Sequence, residues 1–161
     1  MKVAFVNPFI DAAREVLESE LGGEATRGEI RMQRSAYTTD EVTALLGVAG
    51  AVSGVVLYSM SEETARGMVA RMLGHACAKF DALAQSGIGE LGNVITGRAG
   101  VLLAEAGHAS NITPPALVMG KHTMVTTLDL NRLVFPLETA LGTIEIQVVL
   151  KESPVSALRA A

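Results

Sequence analysis

The chain has 161 residues, and 49% of them are hydrophobic against 19% charged, which argues against a disordered chain and allows one buried core. A formal charge of −4 and an aromatic content of 4% argue against a chain that binds nucleic acid or an anionic membrane through charge and stacking. The one cysteine, Cys77, excludes an internal disulfide and suits a reducing compartment, so we expect a cytoplasmic protein.

The chain is expected to begin with a helix and a polar strand. Asn7 is a candidate N-cap with Pro8 at the first helical position, and Gly22 and Gly23 are expected to end this helix. Residues 24–35 are polar and partly alternating, which predicts a solvent-facing strand.

Residues 42–61 carry no charge and are long enough to cross a membrane as a helix. Acidic residues flank them on both sides, however, where an inserted helix usually has an excess of Lys and Arg on one side. The glycines, hydroxyl groups and valines within this segment favour two buried strands that break near Gly50. A membrane anchor is the alternative, and it requires that the chain need detergent to stay in solution.

Two helices are predicted next. Ser61 is a candidate N-cap with Glu62 and Glu63 in the first turn, where the helix dipole favours acidic side chains. Asp81 and Gly107 are the expected ends of a longer second helix. Its apolar stripe consists of Ala84, Ile88, Leu91, Ile95 and Leu102.

The last part of the chain reads as strands. Residues 111–120 are extended through two prolines, and two further strands flank a turn near Leu141 and Gly142. The final strand alternates, with Ile144, Ile146 and Val148 on one face and Glu145, Gln147 and Val149 on the other. The order of elements predicts an α+β domain over residues 1–155, with an antiparallel sheet, a layer of helices and two related halves. Residues 156–161 are expected to form a short tail.

Residues 86–97, SGIGELGNVITG, contain the spacing Gly-x-Gly-x-x-Gly of a dinucleotide-binding turn. That turn must follow a strand and precede an acidic residue by about twenty positions, and neither condition holds here. The helical reading fits better, and it places Ser86, Glu90 and Asn93 on one face. On spacing alone these residues could form an ordinary polar face.

The pattern Ser86-x-x-x-Glu90-x-x-Asn93, followed by Pro114 or Pro115, resembles the signature of the CheC/CheX family of chemotaxis phosphatases. The phrases GELGNVITG, LLGVAGAVSGVVLYSMSEE and NITPPALVMG are also similar to that family, so the resemblance spans residues 8 to 150. It implies a CheC-like α+β fold with pseudo-two-fold α-β-β halves. It also implies hydrolysis of the aspartyl phosphate of a phosphorylated CheY-like response regulator. A catalytically silent adaptor domain is the alternative.

The resemblance implies that Asn93 positions the attacking water and that Glu90 pairs with a lysine of the receiver. It implies no metal or cofactor of the chain's own, because Mg²⁺ is expected in the receiver, and it suggests a homodimer. The residues expected to contact the partner are Ser86, Gly89, Gly97 and Pro114.

The first helix repeats the motif spacing at Asp11, Glu15 and Glu18, with Glu where the motif has Asn. CheC-type members of the family carry two such helices and CheX-type members carry one. If this helix is a degenerate repeat, the missing carboxamide predicts a second site without activity. One working site favours a CheX-like chain.

Overall fold

The computed structural model describes residues 2–34, 37–127 and 130–154. A 3₁₀ turn at Val3–Phe5 precedes the first helix. The helices are α1 (Asn7–Leu21), α2 (Glu62–Leu73) and α3 (Ala82–Glu105). The strands are β1 (Thr26–Arg27), β2 (Arg31–Gln33), β3 (Tyr37–Thr38), β4 (Val42–Gly50), β5 (Val52–Met60), β6 (Ser110–Ile112), β7 (Ala116–Met119), β8 (Met124–Val125), β9 (Arg132–Thr139) and β10 (Gly142–Glu152).

Eight of the described strands form one antiparallel sheet, and β3 and β8 form a separate two-stranded ribbon. Along the sheet β1 and β2 pair with β9, which is followed by β10, β5 and β4, and β6 and β7 pair with β4 at the opposite edge. The inward residues of β4, β5, β9 and β10 share one apolar core with the buried faces of α1, α2 and α3. This arrangement is the predicted α+β fold.

The sheet consists of two halves of the same design. The first half contains α1, the edge strands β1 and β2, and the hairpin β4–β5, and the second contains α3, β6 and β7, and the hairpin β9–β10. The two halves meet where β5 pairs with β10. Each pair of edge strands joins the other half, because β1 and β2 pair with β9, whereas β6 and β7 pair with β4. The predicted pseudo-two-fold arrangement is therefore present.

Gly54 lies on the seam between the halves, opposite Leu150 of β10. Its φ of +153° is one that side chains with a Cβ rarely adopt. A Cβ at this position would lie 1.8 Å from the carbonyl oxygen of Val149. Only glycine lets the two central strands come this close.

Both edges of the sheet are interrupted by a bulge at the equivalent point. Between the pairs Val48–Ile112 and Leu45–Ala116, residues 113–115 lie opposite two residues of β4, and we call them the second-half bulge. Between the pairs Arg27–Leu137 and Arg31–Val134, residues 28–30 lie opposite two residues of β9, and we call them the first-half bulge. An extra residue of this kind bends a strand and changes the direction of its side chains.

The helix ends agree with the capping signals, with one exception. The side chain of Ser61 accepts a hydrogen bond from the Thr64 amide at 3.1 Å, and Gly22 follows α1 with a φ of +68°. The prediction that Asn7 caps α1 is wrong, because the helix begins at Asn7 and Val6 is its N-cap, with no side-chain hydrogen bond. Pro8 lies in the first turn, where its missing amide hydrogen costs nothing.

The uncharged segment at residues 42–61 forms the hairpin of β4 and β5, which turns at Gly50 and Ala51 as predicted. None of the described helices has the length and apolarity needed to cross a membrane. The polar segment at 24–35 forms two short strands rather than one, because the first-half bulge separates them. The tail expected at residues 156–161 lies outside the described residues.

The face of the sheet opposite the helices is partly covered by other residues of the chain. The alternating pattern of β10 placed Gln147 and Val149 on this face but did not predict that they are buried. Gln147 and Val149 point away from the helices but are buried. The guanidinium of Arg132 donates to Gln147 Oε1 at 3.0 Å and lies 5.7 Å from the ring centre of Tyr37, the first residue of the ribbon. The ribbon and Arg132 thus shield polar and apolar side chains on this second face.

Candidate functional site

The motif lies on α3, the longest of the described helices. Its N-cap is Asp81, whose carboxylate accepts a hydrogen bond from the Ala84 amide at 3.0 Å, and Gly107 follows the helix with a φ of +87°. Both ends agree with the prediction. Five glycines lie within this helix, and each costs about 0.8–1 kcal/mol relative to alanine, so tertiary contacts must offset their cost.

Gly92 and Thr96 attach the middle of α3 to the sheet. A Cβ at Gly92 would lie 3.2 Å from Leu46 Cδ1 and 3.4 Å from Ala44 Cβ, so the helix backbone rests directly on β4. Thr96 Oγ1 donates to the Gly92 carbonyl at 2.7 Å and lies 2.8 Å from the hydroxyl of Tyr58. Because the one hydrogen of the Thr96 hydroxyl goes to the Gly92 carbonyl, the Tyr58 hydroxyl donates to Thr96 Oγ1; burial raises the pKa of this phenol. The turn that carries Asn93 is thereby fixed to the sheet.

Sequence reasoning missed the roles of Tyr58 and Thr96. The available signal was Thr96 itself, since a threonine within a helix often bonds the carbonyl four residues earlier. Its partner on β5 lies 38 residues away along the chain, and no local pattern connects the two.

The other glycines of α3 face three different neighbours. A Cβ at Gly87 would lie 3.2 Å from Val69 of α2, one at Gly89 would lie 3.4 Å from Pro115, and one at Gly97 would lie 3.9 Å from Ile112. At Gly100, such a Cβ would have no neighbour within 4 Å in the part of the chain that the structure describes, apart from the adjoining backbone of α3. The missing side chain of Gly92, although it lies between Glu90 and Asn93, makes room for the sheet.

Glu90 and Ser86 are exposed on α3, and Asn93 is half-buried. Among the described residues, none makes a hydrogen bond or ion pair with the side chain of Glu90 or Asn93. A carboxylate and a carboxamide one turn apart on a rigid helix can therefore both reach a second molecule. The carboxylate can accept from a cationic donor, and the carboxamide can accept and donate at once.

Of the two prolines in the motif, Pro115 contacts α3. Its ring lies 3.4 Å from the position of a Cβ at Gly89, although both prolines are exposed to solvent. A role of Ser86, Gly89, Gly97 or Pro114 in binding a partner stays a prediction.

Two of the three related residues on α1, Glu15 and Glu18, have partners within the chain. Glu15 Oε2 accepts a hydrogen bond from Arg98 Nε of α3 at 2.9 Å, and this bond raises the pKa of Arg98. Glu18 Oε1 accepts from the Ala25 amide at 3.2 Å, just after the helix. These carboxylates stabilise the fold locally, and α1 has no carboxamide at the motif position.

The molecule also has a polar cavity of about 530 Å³, on the face of the sheet that carries the ribbon. It is lined by Tyr37, Thr39, Asp40, Ser59, Lys121, His122, Thr143 and Glu145, so it contains none of the motif residues. Small-molecule sites are usually concave, whereas Glu90 and Asn93 lie on the flank of a surface helix. Within the described ranges, no group of three His, Cys, Asp or Glu side chains is arranged to hold a metal ion.

Comparisons with known proteins agree on one family. The family described as "Chemotaxis phosphatase CheX" matches residues 42–138 of this chain. The CheY-P phosphatase CheX of Thermotoga maritima is 33% identical over 122 residues, which are 75% of this chain and 79% of that protein.

Solved structures share the fold over almost the whole chain. A CheC-like superfamily protein from Shewanella sp. PV-4 is 26% identical, with a TM-score of 0.84 over 94% of this chain and 99% of that one. A chain of the CheX–CheY–BeF₃–Mg²⁺ complex from Borrelia burgdorferi is 26% identical, with a TM-score of 0.80 over 92% of this chain and 98% of that one.

Proposed function

This chain belongs to the CheX family of chemotaxis phosphatases, and we propose that it hydrolyses the aspartyl phosphate of a CheY-like response regulator. The observation that carries the proposal is the pair Glu90 and Asn93, which share a rigid helix and have no hydrogen-bond partner among the described residues. The crystallised complex of a relative with CheY supports a receiver domain as the partner.

Asn93 positions the attacking water in this proposal. An acyl phosphate is already activated, so hydrolysis needs a water held in line with phosphorus and cationic groups that neutralise the negative charge of the phosphoryl oxygens. The carboxamide oxygen accepts a hydrogen from the water, and the carboxamide NH₂ donates toward the phosphoryl group. The water oxygen bonds to phosphorus as the bond from phosphorus to the receiver's aspartyl oxygen breaks. The aspartate leaves as a carboxylate and the hydrogens of the water remain with the released phosphate, so no general base is needed on this chain. The fixed turn around Gly92 and Thr96 reduces the freedom that Asn93 loses on docking.

Glu90 orients the two proteins. Its exposed carboxylate can form a charge-assisted hydrogen bond with a lysine of the receiver, and such a bond is directional. Mg²⁺, which neutralises phosphoryl charge in these reactions, is held by the receiver in this proposal. We also propose that the chain acts in the cytoplasm as a homodimer.

Substitution of each motif residue tests these roles. Asn93→Ala should lower the rate of phosphate release from a phosphorylated CheY-like receiver at least about 100-fold, because the water is no longer positioned. Binding to a receiver loaded with beryllium fluoride should persist. Glu90→Ala should lose both binding and phosphate release.

The matched control is Glu18→Ala on α1, whose carboxylate bonds only within the chain. It should keep both activities. Full phosphatase activity in Asn93→Ala would overturn the proposed mechanism.

The alternative is an adaptor that binds the receiver without catalysis, which the family resemblance leaves open. It predicts binding to the phosphorylated receiver with no change in the lifetime of the phosphate. Measuring that lifetime with and without a molar excess of this protein separates the two functions.

A further inference from the structure

We propose that Thr113 is a positioning residue for Asn93, acting through the second-half bulge (residues 113–115) that supports one flank of α3. This inference rests on the proposed function for its catalytic consequence. Its structural part concerns only contacts within the chain.

At the second-half bulge, the edge strand has few backbone donors that could bond to β4. Pro114 and Pro115 have no amide hydrogen, so neither can donate to β4. Between the paired residues Ile112 and Ala116, Thr113 is the one residue of the bulge with a backbone donor.

Thr113 fastens the bulge to Gly47 of β4 in both directions. The Thr113 amide donates to the Gly47 carbonyl at 3.0 Å, and the Gly47 amide donates to Thr113 Oγ1 at 2.8 Å. The same hydroxyl donates to the Pro114 carbonyl at 3.1 Å. One hydroxyl therefore connects β4 to the backbone that leads into the prolines.

This segment lies along the side of α3 that carries Asn93. Residues four positions apart share one side of a helix, so Gly89, Asn93 and Gly97 form one row. Gly89 faces Pro115, and Gly97 faces Ile112. Asn93 therefore projects beside the bulge, which explains why it is half-buried while Glu90 is exposed.

We call the two reciprocal hydrogen bonds between Thr113 and Gly47 the Thr113 lock. The first half of the molecule has an equivalent bulge but lacks such a pair of bonds. At the equivalent point the Gly28 amide donates to the Pro136 carbonyl at 2.9 Å. Gly28 has no hydroxyl and Pro136 has no amide hydrogen, so the return bond cannot form. These reciprocal bonds are present in the second-half bulge, which contacts α3 through Pro115 and Ile112, and cannot form in the first-half bulge.

Three substitutions test the proposal by steady-state dephosphorylation of a phosphorylated CheY-like receiver. Thr113→Val keeps the shape of the side chain and removes the hydroxyl, and Thr113→Ser keeps the hydroxyl. Gly47→Ala adds a Cβ 2.8 Å from Thr113 Cγ2 and should displace the same side chain.

We expect kcat to fall about tenfold in Thr113→Val and Gly47→Ala, with KM within about twofold of the wild type, because Glu90 still docks the receiver. Thr113→Ser should recover most of the activity. The matched control is Gly28→Ala, whose Cβ would lie 2.6 Å from Pro136 Cγ in the first-half bulge. It should alter thermal stability by a similar amount and leave kcat unchanged.

A second readout requires no activity. The side-chain NH₂ signals of Asn93 in the ¹⁵N–¹H spectrum of the free protein, assigned by their loss in Asn93→Ala, should shift or broaden in Thr113→Val and Gly47→Ala. They should stay in place in Gly28→Ala.

The two readouts separate the two proposals. If the wild type does not accelerate dephosphorylation, the proposed function fails, and the Asn93 signals alone decide whether Thr113 positions this side chain. An active wild type whose kcat and Asn93 signals are unchanged by Thr113→Val would overturn the inference alone. If Gly28→Ala lowers kcat as much as Thr113→Val does, the inference is also overturned, because the loss of activity would then follow from reduced stability in general.

Discussion

The helices α1 and α3 occupy equivalent places in the two halves, yet their motif residues differ in what they bind. Glu15 and Glu18 of α1 bond to Arg98 and the Ala25 amide, whereas Glu90 and Asn93 of α3 have no hydrogen-bond partner among the described residues. The partner of Glu15 belongs to α3 itself. The helix that carries the candidate site, α3, therefore supplies the hydrogen-bond donor for Glu15 of α1.

The two helices also approach the core differently. When the motifs are superposed, Leu17 of α1 corresponds to Gly92 of α3. Leu17 is buried with a full side chain, and Gly92 lets the α3 backbone rest on Leu46 and Ala44. The candidate site on α3 thus differs from the equivalent part of α1 in two ways: its backbone lies directly on the sheet at Gly92, and it carries the carboxamide of Asn93.

The largest expected effect concerns the seam that both halves share. Gly54→Ala should cost more than about 4 kcal/mol or prevent folding, because its Cβ would overlap the Val149 carbonyl and φ is +153°. Urea denaturation measures the loss. Ser53→Ala on the same strand should stay within about 0.5 kcal/mol of the wild type. A stable Gly54→Ala protein would show that the two central strands can move apart.

A smaller loss of stability is expected when Gly92 of α3 is replaced by leucine, the residue at the equivalent position of α1. Gly92→Leu should cost about 3 kcal/mol, since a leucine side chain has no room between α3 and β4. It should also reduce phosphatase activity beyond the loss of folded protein, because the turn that carries Asn93 must lift. Activity per folded molecule equal to that of the wild type would separate the helix position from catalysis.

Gly100→Ala should act in the opposite direction and by less. Among the described residues, none outside the adjoining backbone of α3 lies within 4 Å of a Cβ at Gly100, so the substitution gains the helix propensity of alanine, about 0.8–1 kcal/mol, without a clash. Thermal unfolding should show a higher Tm with unchanged phosphatase activity. A lower Tm would mean that this side of α3 packs against something else, such as a second copy of the chain.

The smallest effect is expected for Glu18→Asn, which gives α1 the Glu and Asn of the motif at positions 15 and 18. In the Asn93→Ala background it should restore no phosphatase activity, because Arg98 still holds Glu15. Phosphate release from the phosphorylated receiver measures this directly. Recovered activity would mean that the carboxamide alone distinguishes the two helices.

Local signals in the sequence predicted most element boundaries, because they act within a few residues. Ser61 and Asp81 marked helix starts, Gly22 and Gly107 marked helix ends, and the uncharged run broke near Gly50. The prediction that Asn7 is an N-cap was wrong because a proline in the first turn marks the start of a helix without fixing which preceding residue is the N-cap.

Features that depend on distant pairing could not be predicted. The two bulges exist only because β1 and β2 meet β9, and because β6 and β7 meet β4. The same applies to the bond between Arg98 and Glu15 and to the burial of Gln147 beneath Arg132. For the site, spacing placed Glu90 and Asn93 on one face, but the Thr113 lock requires knowledge of which residue lies opposite Gly47.

The exchange of edge strands between the halves also governs how the chain can assemble. Thr26 pairs with Glu138, and Val42 pairs with Met119, so neither half completes its sheet until most of the chain is present. Pairings between such distant residues slow folding and make it a single cooperative event. During synthesis the first half emerges with its edge unpaired, and it must wait for β9. The half whose helix lacks the motif carboxamide is therefore indispensable for folding of the half that carries Asn93.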